Sequence, residues 1–196
     1  MTESSNSFSI IIAVDNQAEE LQKFLPGLLT LEYDDYEVIV VDESSKDNTN
    51  DVLKALKQQY KNLYSTFVPS YHFRKDLRRL AFTIGVKAAK KQRIILSDIN
   101  KLPESATWLK ELADCCNVED VIMTGYIKRK KGDVRLKAFS NIDSARKTIS
   151  NTEKRRAANK SRLLGFIKPD YDFIVVKAAE AHKLLQLFET TKRNKL

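Results

Sequence analysis

The stretch RIILSDIN, residues 93–100, decides how this sequence is interpreted. Its first half is an apolar, β-branched run, which is typical of a strand buried on both faces of a sheet. Directly after that run come the carboxylate of Asp98 and the amide of Asn100. Polar side chains at the carboxyl end of a parallel strand indicate a ligand site, although aspartate is also frequent in simple turns. Both interpretations stay open at this point.

The segments before this stretch alternate between strand and helix patterns. SIIIAV (9–14) and YEVIVVD (36–42) predict buried strands, and LYSTFV (63–68) predicts a short one. Apolar residues between these runs recur at helical spacing, as in AEELQKFLPGLLTL and DNTNDVLKALKQQY. Strands and helices in alternation predict parallel pairing through right-handed crossovers. We therefore predict an α/β fold with α/β/α layers around a mostly parallel central sheet.

Chain length and composition narrow the class of protein. With 196 residues the chain is long enough for one substantial core, so we expect a single domain over residues 1–196. No apolar run approaches the roughly 20 residues that a membrane-spanning helix needs, and MTESSNS at the N-terminus does not resemble a signal peptide. We therefore expect a cytoplasmic protein. Cys115 and Cys116 are adjacent, a spacing that fits neither a disulfide framework nor a metal site.

The formal net charge of +8 is concentrated in KRKKGDVRLK (128–137), EKRRAANKSR (153–162) and the C-terminal TKRNKL. Such runs are usually solvated surface, and an anionic partner is the other interpretation. Nucleic acid is the less favoured partner, because the chain lacks a recognition motif that combines aromatic and basic residues. A peripheral contact with an anionic membrane surface stays open, although the basic stretch lacks the apolar face of a strong interfacial helix.

Acidic residues follow three of the predicted strands: Asp15, Asp42 and Asp98. Because the carboxyl ends of parallel strands meet at one edge of a sheet, we expect these carboxylates to face the same region. They suit the hydroxyl and amide donors of a ribose or base, or a metal. The five glycines of the chain build neither a G-x-G-x-x-G turn nor a G-x-x-x-x-G-K-[ST] loop. Dinucleotide-dependent oxidoreductases and P-loop enzymes are therefore disfavoured.

Four segments occur in an informative order: SIIIAVDNQ, VIVVDESSKDNT, LAFTIGVKAAKKQRIILSDIN and PESATWL. Family 2 glycosyltransferases open with a strand like SIIIPVYNE and continue to one ending like IIVVDDGSTDNT. They then place an alanine-rich segment before an Asp-x-Asp motif and a P-x-S-x-x-W-L trailer. This chain resembles that family over about 110 residues, with these motifs in the same order. The resemblance implies the A-type, nucleotide-diphospho-sugar transferase-like fold, and transfer of a sugar from a nucleotide-diphosphate donor to an acceptor hydroxyl.

The resemblance also implies which residues contact the donor. Asp42 matches the carboxylate that accepts a hydrogen bond from the base, commonly uracil, so a UDP-linked nucleotide sugar is expected. Ala13 and Asp15 match positions that line the base and ribose pocket. Arg78 and Arg79 match a basic pair that can approach the diphosphate, and a solvated helix face is the alternative for both.

A divalent cation, Mn²⁺ or Mg²⁺, is the cofactor that the resemblance implies. Asp98 matches the first carboxylate of Asp-x-Asp, near the ribose and the metal. Asn100 occupies the place of the second, which ordinarily ligates the metal. Hard cations prefer anionic oxygen ligands, and an amide oxygen brings no charge. We therefore expect Asp98 and Asn100 to hold a metal only weakly.

The second half of the chain departs most from the family. The resemblance assigns residues 8–116 to nucleotide-sugar binding and leaves residues 117–196 as a shortened acceptor-side part that contains the basic segment 128–162. A general base must lie within hydrogen-bond distance of the acceptor hydroxyl. The candidates, none of which lies in a recognisable motif, are Asp143, Glu153 and Asp170.

Three functions of different classes remain open. The first is a glycosyltransferase that uses a nucleotide sugar. The second is a catalytically inactive relative that keeps the fold and nucleotide binding. The third, which the charge permits and the motifs disfavour, is a basic nucleic-acid-binding module. A fold alone does not decide between them.

Overall fold

The architecture rests on one central sheet that contains all the strands predicted from the first half of the sequence. The computed structural model describes residues 6–69, 77–127, 134–145 and 172–193. Within these ranges the strands are β1 Phe8–Val14, β2 Tyr36–Asp42, β3 Leu63–Phe67, β4 Arg93–Ser97, β5 Ile122–Ile127, β6 Val134–Phe139 and β7 Phe173–Lys177. The helices are α1 Ala18–Leu29, α2 Thr49–Gln59, α3 Leu77–Ala88, α4 Trp108–Cys115 and α5 Ala178–Arg193.

The seven described strands form one sheet in the order β3-β2-β1-β4-β7-β5-β6. β1 pairs in parallel with both β2 and β4, so that Ile11 lies opposite Ile39 on one side and Leu96 on the other. β3 extends this parallel half beyond β2. The remaining strands change direction, since β7 is antiparallel to β4 and β5, and β6 is antiparallel to β5. The predicted parallel pairing of residues 9–14, 36–42 and 93–97 is therefore confirmed.

Helices cover both faces of the sheet, as the apolar runs predicted. Alternate residues of β1 enter two separate cores, because successive side chains of a strand point to opposite faces. Phe8, Ile10, Ile12 and Val14 pack with apolar residues of α1, α2 and α4. Ile11 and Ala13 pack on the other face with α3 and α5. All seven residues of β1 are buried, which explains why its sequence is apolar at every position except Ser9, whose hydroxyl donates to Oε1 of Glu37 at 2.7 Å.

β6 is the element that the sequence analysis did not anticipate. Residues 134–139 belong to the basic segment 128–162, yet they pair with β5. Val134 and Leu136 are half-buried and pack against the core, whereas Arg135 and Lys137 are exposed. This alternation is the pattern of a strand with one solvated face, and the surrounding lysines and arginines obscured it. Apart from residues 134–145, the basic segment lies outside the described residues.

In the part of the chain that the structure describes, no helix is both long enough and apolar enough to cross a membrane.

The contact between α3 and β1 is unusually close at Gly85. A Cβ atom added there would lie 2.3 Å from Cγ2 of Ile11, well inside van der Waals contact. Gly85 therefore lets the helix backbone approach the middle of the sheet. Gly27 in α1 provides a comparison, since an added Cβ atom would meet nothing within 4 Å.

We expect Gly85→Ala to lower the free energy of unfolding by about 1–3 kcal/mol, because the new methyl group overpacks a core without space for it. Gly27→Ala should leave stability unchanged or raise it by up to about 1 kcal/mol, because alanine has the higher helix propensity. Urea denaturation of both variants, followed by circular dichroism, measures the difference. Equal midpoints for Gly85→Ala and the parent protein would contradict this account of the α3 contact.

Candidate functional site

The candidate site lies at the carboxyl ends of β1, β2 and β4. The strand order reverses at β1, with β2 on one side and β4 on the other. In open α/β sheets, ligands bind beyond the carboxyl ends of the strands at such a reversal. Asp15 follows β1, Asp42 ends β2 and Asp98 follows β4. The topology therefore brings the three predicted carboxylates to one edge.

Hydrogen bonds tie the loop after β1 to the loop after β2. The backbone N–H of Glu43 donates to the carbonyl of Val14 at 2.8 Å. The backbone N–H of Asn16 donates to Oγ of Ser45 at 2.8 Å, and Oδ1 of Asn16 accepts from the backbone N–H of Lys46 at 2.8 Å. Asn16 has a positive φ of 51°, which asparagine tolerates better than most residues. The two loops consequently form one connected surface.

Asp42 has a structural role in this surface. Its Oδ1 accepts hydrogen bonds from the backbone N–H of Ser45 at 2.9 Å and from Oγ of Ser45 at 2.5 Å. The side chain is thereby held in one orientation at the strand end. The turn interpretation and the ligand interpretation of Asp42 are compatible, because these contacts engage only one carboxylate oxygen.

The other predicted donor-binding residues differ in exposure. Asp15 is exposed, and its Oδ1 accepts from Nδ2 of Asn16 at 2.7 Å. Ala13 is fully buried in the core beneath α3. Arg79 is half-buried in the first turn of α3. The roles of these residues toward a nucleotide stay predictions.

Four charged side chains form a continuous series at the site: Glu43, Arg78, Asp98 and Lys101, hereafter the charge cluster. Nη1 of Arg78 donates to Oε1 of Glu43 at 3.2 Å. Nη2 of Arg78 forms an ion pair with Oδ1 of Asp98. Nζ of Lys101 lies 2.7 Å from Oδ2 of Asp98. The charge cluster joins the end of β2, the start of α3 and the loop that follows β4.

Burial shifts the proton affinities in this cluster. The pKa of Glu43 is raised to about 7, mainly by removal of its carboxylate from water. Arg78 opposes this shift, and the negative charges of Asp15 and Asp42 reinforce it. Burial also lowers the pKa of Arg78, against the opposing effect of Glu43 and Asp15. Asp15 and Asp42 thus lie close enough to the charge cluster to act on it electrostatically.

The described residues do not fit a divalent cation at Asp98. Both oxygens of this buried carboxylate contact cationic side chains, those of Arg78 and Lys101. Asn100 is exposed, whereas Asp98 is 6% exposed. Among the residues that the structure places, no group of three or more histidine, cysteine, aspartate or glutamate side chains could hold a metal. Asp98 and Asn100 therefore do not form a site that fits a divalent cation.

Two members of the charge cluster were missed by the sequence analysis. Glu43 directly follows Asp42 in VVDESS, and this adjacent acidic pair was the available signal. Lys101 directly follows LSDIN, and its spacing of three residues from Asp98 was the signal there. Of the predicted general bases, Asp143 is exposed in the helical turn after β6. Glu153 and Asp170 lie outside the described residues.

The raised pKa of Glu43 predicts a pH-dependent stability. Between about pH 4.5, where the unfolded glutamate titrates, and about pH 7, the folded protein binds more protons than the unfolded chain. The contribution of Glu43 to stability should therefore fall as the pH rises through this window. We expect Glu43→Gln to reduce that loss, as measured by urea denaturation from about pH 5 to about pH 8. Glu19→Gln, at an exposed position of α1, is the control. If the free energy of unfolding changes with pH by the same amount in the parent protein and in both variants, the prediction is contradicted.

Comparisons with known proteins agree with this geometry. No curated protein sequence matches the chain. A mannosyltransferase from Pyrobaculum calidifontis, PcManGT, solved in complex with GDP-Man and Mn²⁺, has a TM-score of 0.62 at 13% identity, over 91% of this chain and 46% of that one. Glucosyl-3-phosphoglycerate synthase from Mycobacterium tuberculosis, solved with Mn²⁺, UDP and glucosyl-3-phosphoglycerate, has a TM-score of 0.54 at 11% identity, over 90% of this chain and 58% of that one.

The chain spans about half the length of these two proteins, and at such low identity the likeness concerns the fold. Both neighbours are glycosyltransferases of the A-type fold. The A-type fold predicted for this chain from its sequence is therefore confirmed. The family model for glycosyl transferase family 2 matches residues 9–174, which is most of the chain. This chain therefore belongs to glycosyl transferase family 2.

Proposed function

We propose that this chain binds a nucleotide-sugar donor at the carboxyl ends of β1, β2 and β4 and transfers the sugar to an acceptor hydroxyl. The observation that carries the proposal is the position of Asp15, Asp42 and the charge cluster at the reversal of the strand order. Family membership supports the reaction class. The two structural neighbours, which are solved with GDP-Man or UDP, support a nucleotide donor.

Asp42 is the proposed contact to the base. Its Oδ1 is held by Ser45, which fixes the side chain at the end of β2. A fixed carboxylate binds an N–H donor of a base without first losing rotamer freedom. Uracil presents such a donor, so the donor is proposed to be UDP-linked. Asp15, exposed beside Asp42 at the same edge, is proposed to accept from ribose hydroxyls.

The two halves of the chain are proposed to bind different substrates. Residues 8–116 are proposed to bind the donor, and residues 117–196 to contribute the acceptor side of the same domain. The start of β7, in this second half, lies beside the proposed donor site. There the carbonyl of Asp172 accepts from Oγ of Ser97 at 2.9 Å, next to Asp98. Asp172 is the described acid of the second half that we propose as a candidate for the general base. Asp143 follows Phe139, which lies opposite Ile122 at the other edge of the sheet, away from Ser97.

A second candidate function is nucleotide binding without sugar transfer. The observation that favours it is that cationic side chains contact both oxygens of Asp98. Asp98 and Asn100 occupy the place of the Asp-x-Asp motif, which in the family holds the metal. An assay for release of UDP from UDP-sugars, with and without acceptor sugars, separates the two candidates. Turnover supports the transferase, whereas binding without turnover supports the inactive relative.

The role of Asp42 is tested by two matched substitutions. Asp42→Asn keeps an oxygen for Ser45 but removes the charge, and we expect it to weaken UDP binding about tenfold, or about 1.4 kcal/mol. Ser45→Ala removes the side-chain hydrogen bond of the turn and should change UDP binding by no more than about twofold. Isothermal titration calorimetry with UDP measures both. Equal affinities for Asp42→Asn and the parent protein would exclude a base contact by this carboxylate.

A further inference from the structure

The Asp98 carboxylate already has two positively charged partners. Nη2 of Arg78 contacts one oxygen, and Nζ of Lys101 lies 2.7 Å from the other. A divalent cation at this carboxylate would meet two positive charges within a few ångströms, and at that distance like charges repel strongly in a partly buried site. The negative charge that a hard cation requires is consequently neutralised.

The cationic groups are more accessible than the carboxylate between them. The side chains of Arg78 and Lys101 are 17% and 23% exposed, whereas that of Asp98 is 8% exposed. A ligand approaching the strand ends therefore meets guanidinium and ammonium groups before it meets Asp98. An arginine carries five N–H donors and a lysine three, and neither side chain has an acceptor, so both suit the oxygens of an anionic ligand.

The position of these cations matches the part of a donor that carries negative charge. Asp42 and Asp15, the proposed contacts to base and ribose, lie at the ends of β2 and β1. Arg78 and Lys101 lie at the same edge of the sheet, at the start of α3 and in the loop after β4, where they contact Asp98. Arginine and lysine are the side chains that bind phosphate oxygens most effectively.

We propose that Arg78 and Lys101, held in place by Asp98, bind the diphosphate of the donor directly and replace the divalent cation. The inference rests on the proposed nucleotide-binding function and specifies its diphosphate subsite. In this arrangement Asp98 is a positioning residue, because it orients both cations and does not ligate a metal. Glu43 holds the second branch of the Arg78 guanidinium at 3.2 Å.

Calorimetric titration of the full chain tests the metal requirement. The probes are UDP and GDP, each with its parent nucleoside, in the presence of Mn²⁺ or Mg²⁺ and separately in a chelator. We expect the diphosphate to bind more tightly than the nucleoside, with an affinity that metal changes by no more than about twofold. A diphosphate affinity that collapses in chelator while nucleoside binding persists would overturn this inference and leave the proposed function intact. Failure of every probe to bind would overturn both.

Substitutions of Lys101 test the cation itself. We expect Lys101→Gln to weaken diphosphate binding about tenfold and to leave nucleoside binding unchanged, because only the diphosphate contacts the ammonium group. Lys101→Arg keeps the charge and should retain most of the affinity. Lys110→Gln, which removes an exposed lysine of α4, is the matched control. Urea denaturation verifies that each variant is folded, and an unchanged diphosphate affinity in folded Lys101→Gln would overturn the proposal.

Discussion

The parallel pairing of β1 with both β2 and β4 is the constraint on which the rest of the molecule depends. A strand with partners on both sides and helices on both faces has no contact with water, so its side chains must be apolar or, like Ser9, hydrogen-bonded, and each backbone polar group must be paired within the sheet. β1 meets this requirement with seven buried residues. Its two parallel neighbours then end at the same edge, which gathers residues from three distant segments beyond Val14.

The elements with the strongest periodicity were predictable from the sequence. β1, β2 and β4 each contain an apolar run of three or more residues, and their parallel order follows from the helical patterns between them. β6 was missed because Arg135 and Lys137 made a solvated strand face look like part of a basic segment. Glu43 and Lys101 were missed for a different reason. Glu43 contacts Arg78, which lies 35 positions later, and no local spacing encodes such a contact. Lys101 is only three residues from Asp98, but outside a helix that spacing does not by itself indicate an ion pair.

A cation fixed on a side chain differs from a bound metal ion in what it offers an anionic ligand. A metal ion is a Lewis acid that can share several ligands between protein and substrate. Guanidinium and ammonium groups instead provide directional N–H donors whose positions are set by their own ion pairs. In this protein, those ion pairs converge on a single buried carboxylate. The pattern LSDIN is thus better understood together with Lys101 and the start of α3 than as an isolated motif.

The close contact at Gly85 couples the packing of the core to the placement of charge. Gly85 and Arg78 are seven residues apart on α3, about two helical turns. The guanidinium carbon of Arg78 also lies 5.7 Å from the ring centre of Phe82, a fully buried residue between them. The depth at which the helix rests on Ile11 therefore sets the height of the guanidinium above the strand ends. Substitutions in this core, far from any ligand, would act on recognition through a rigid-body displacement of α3.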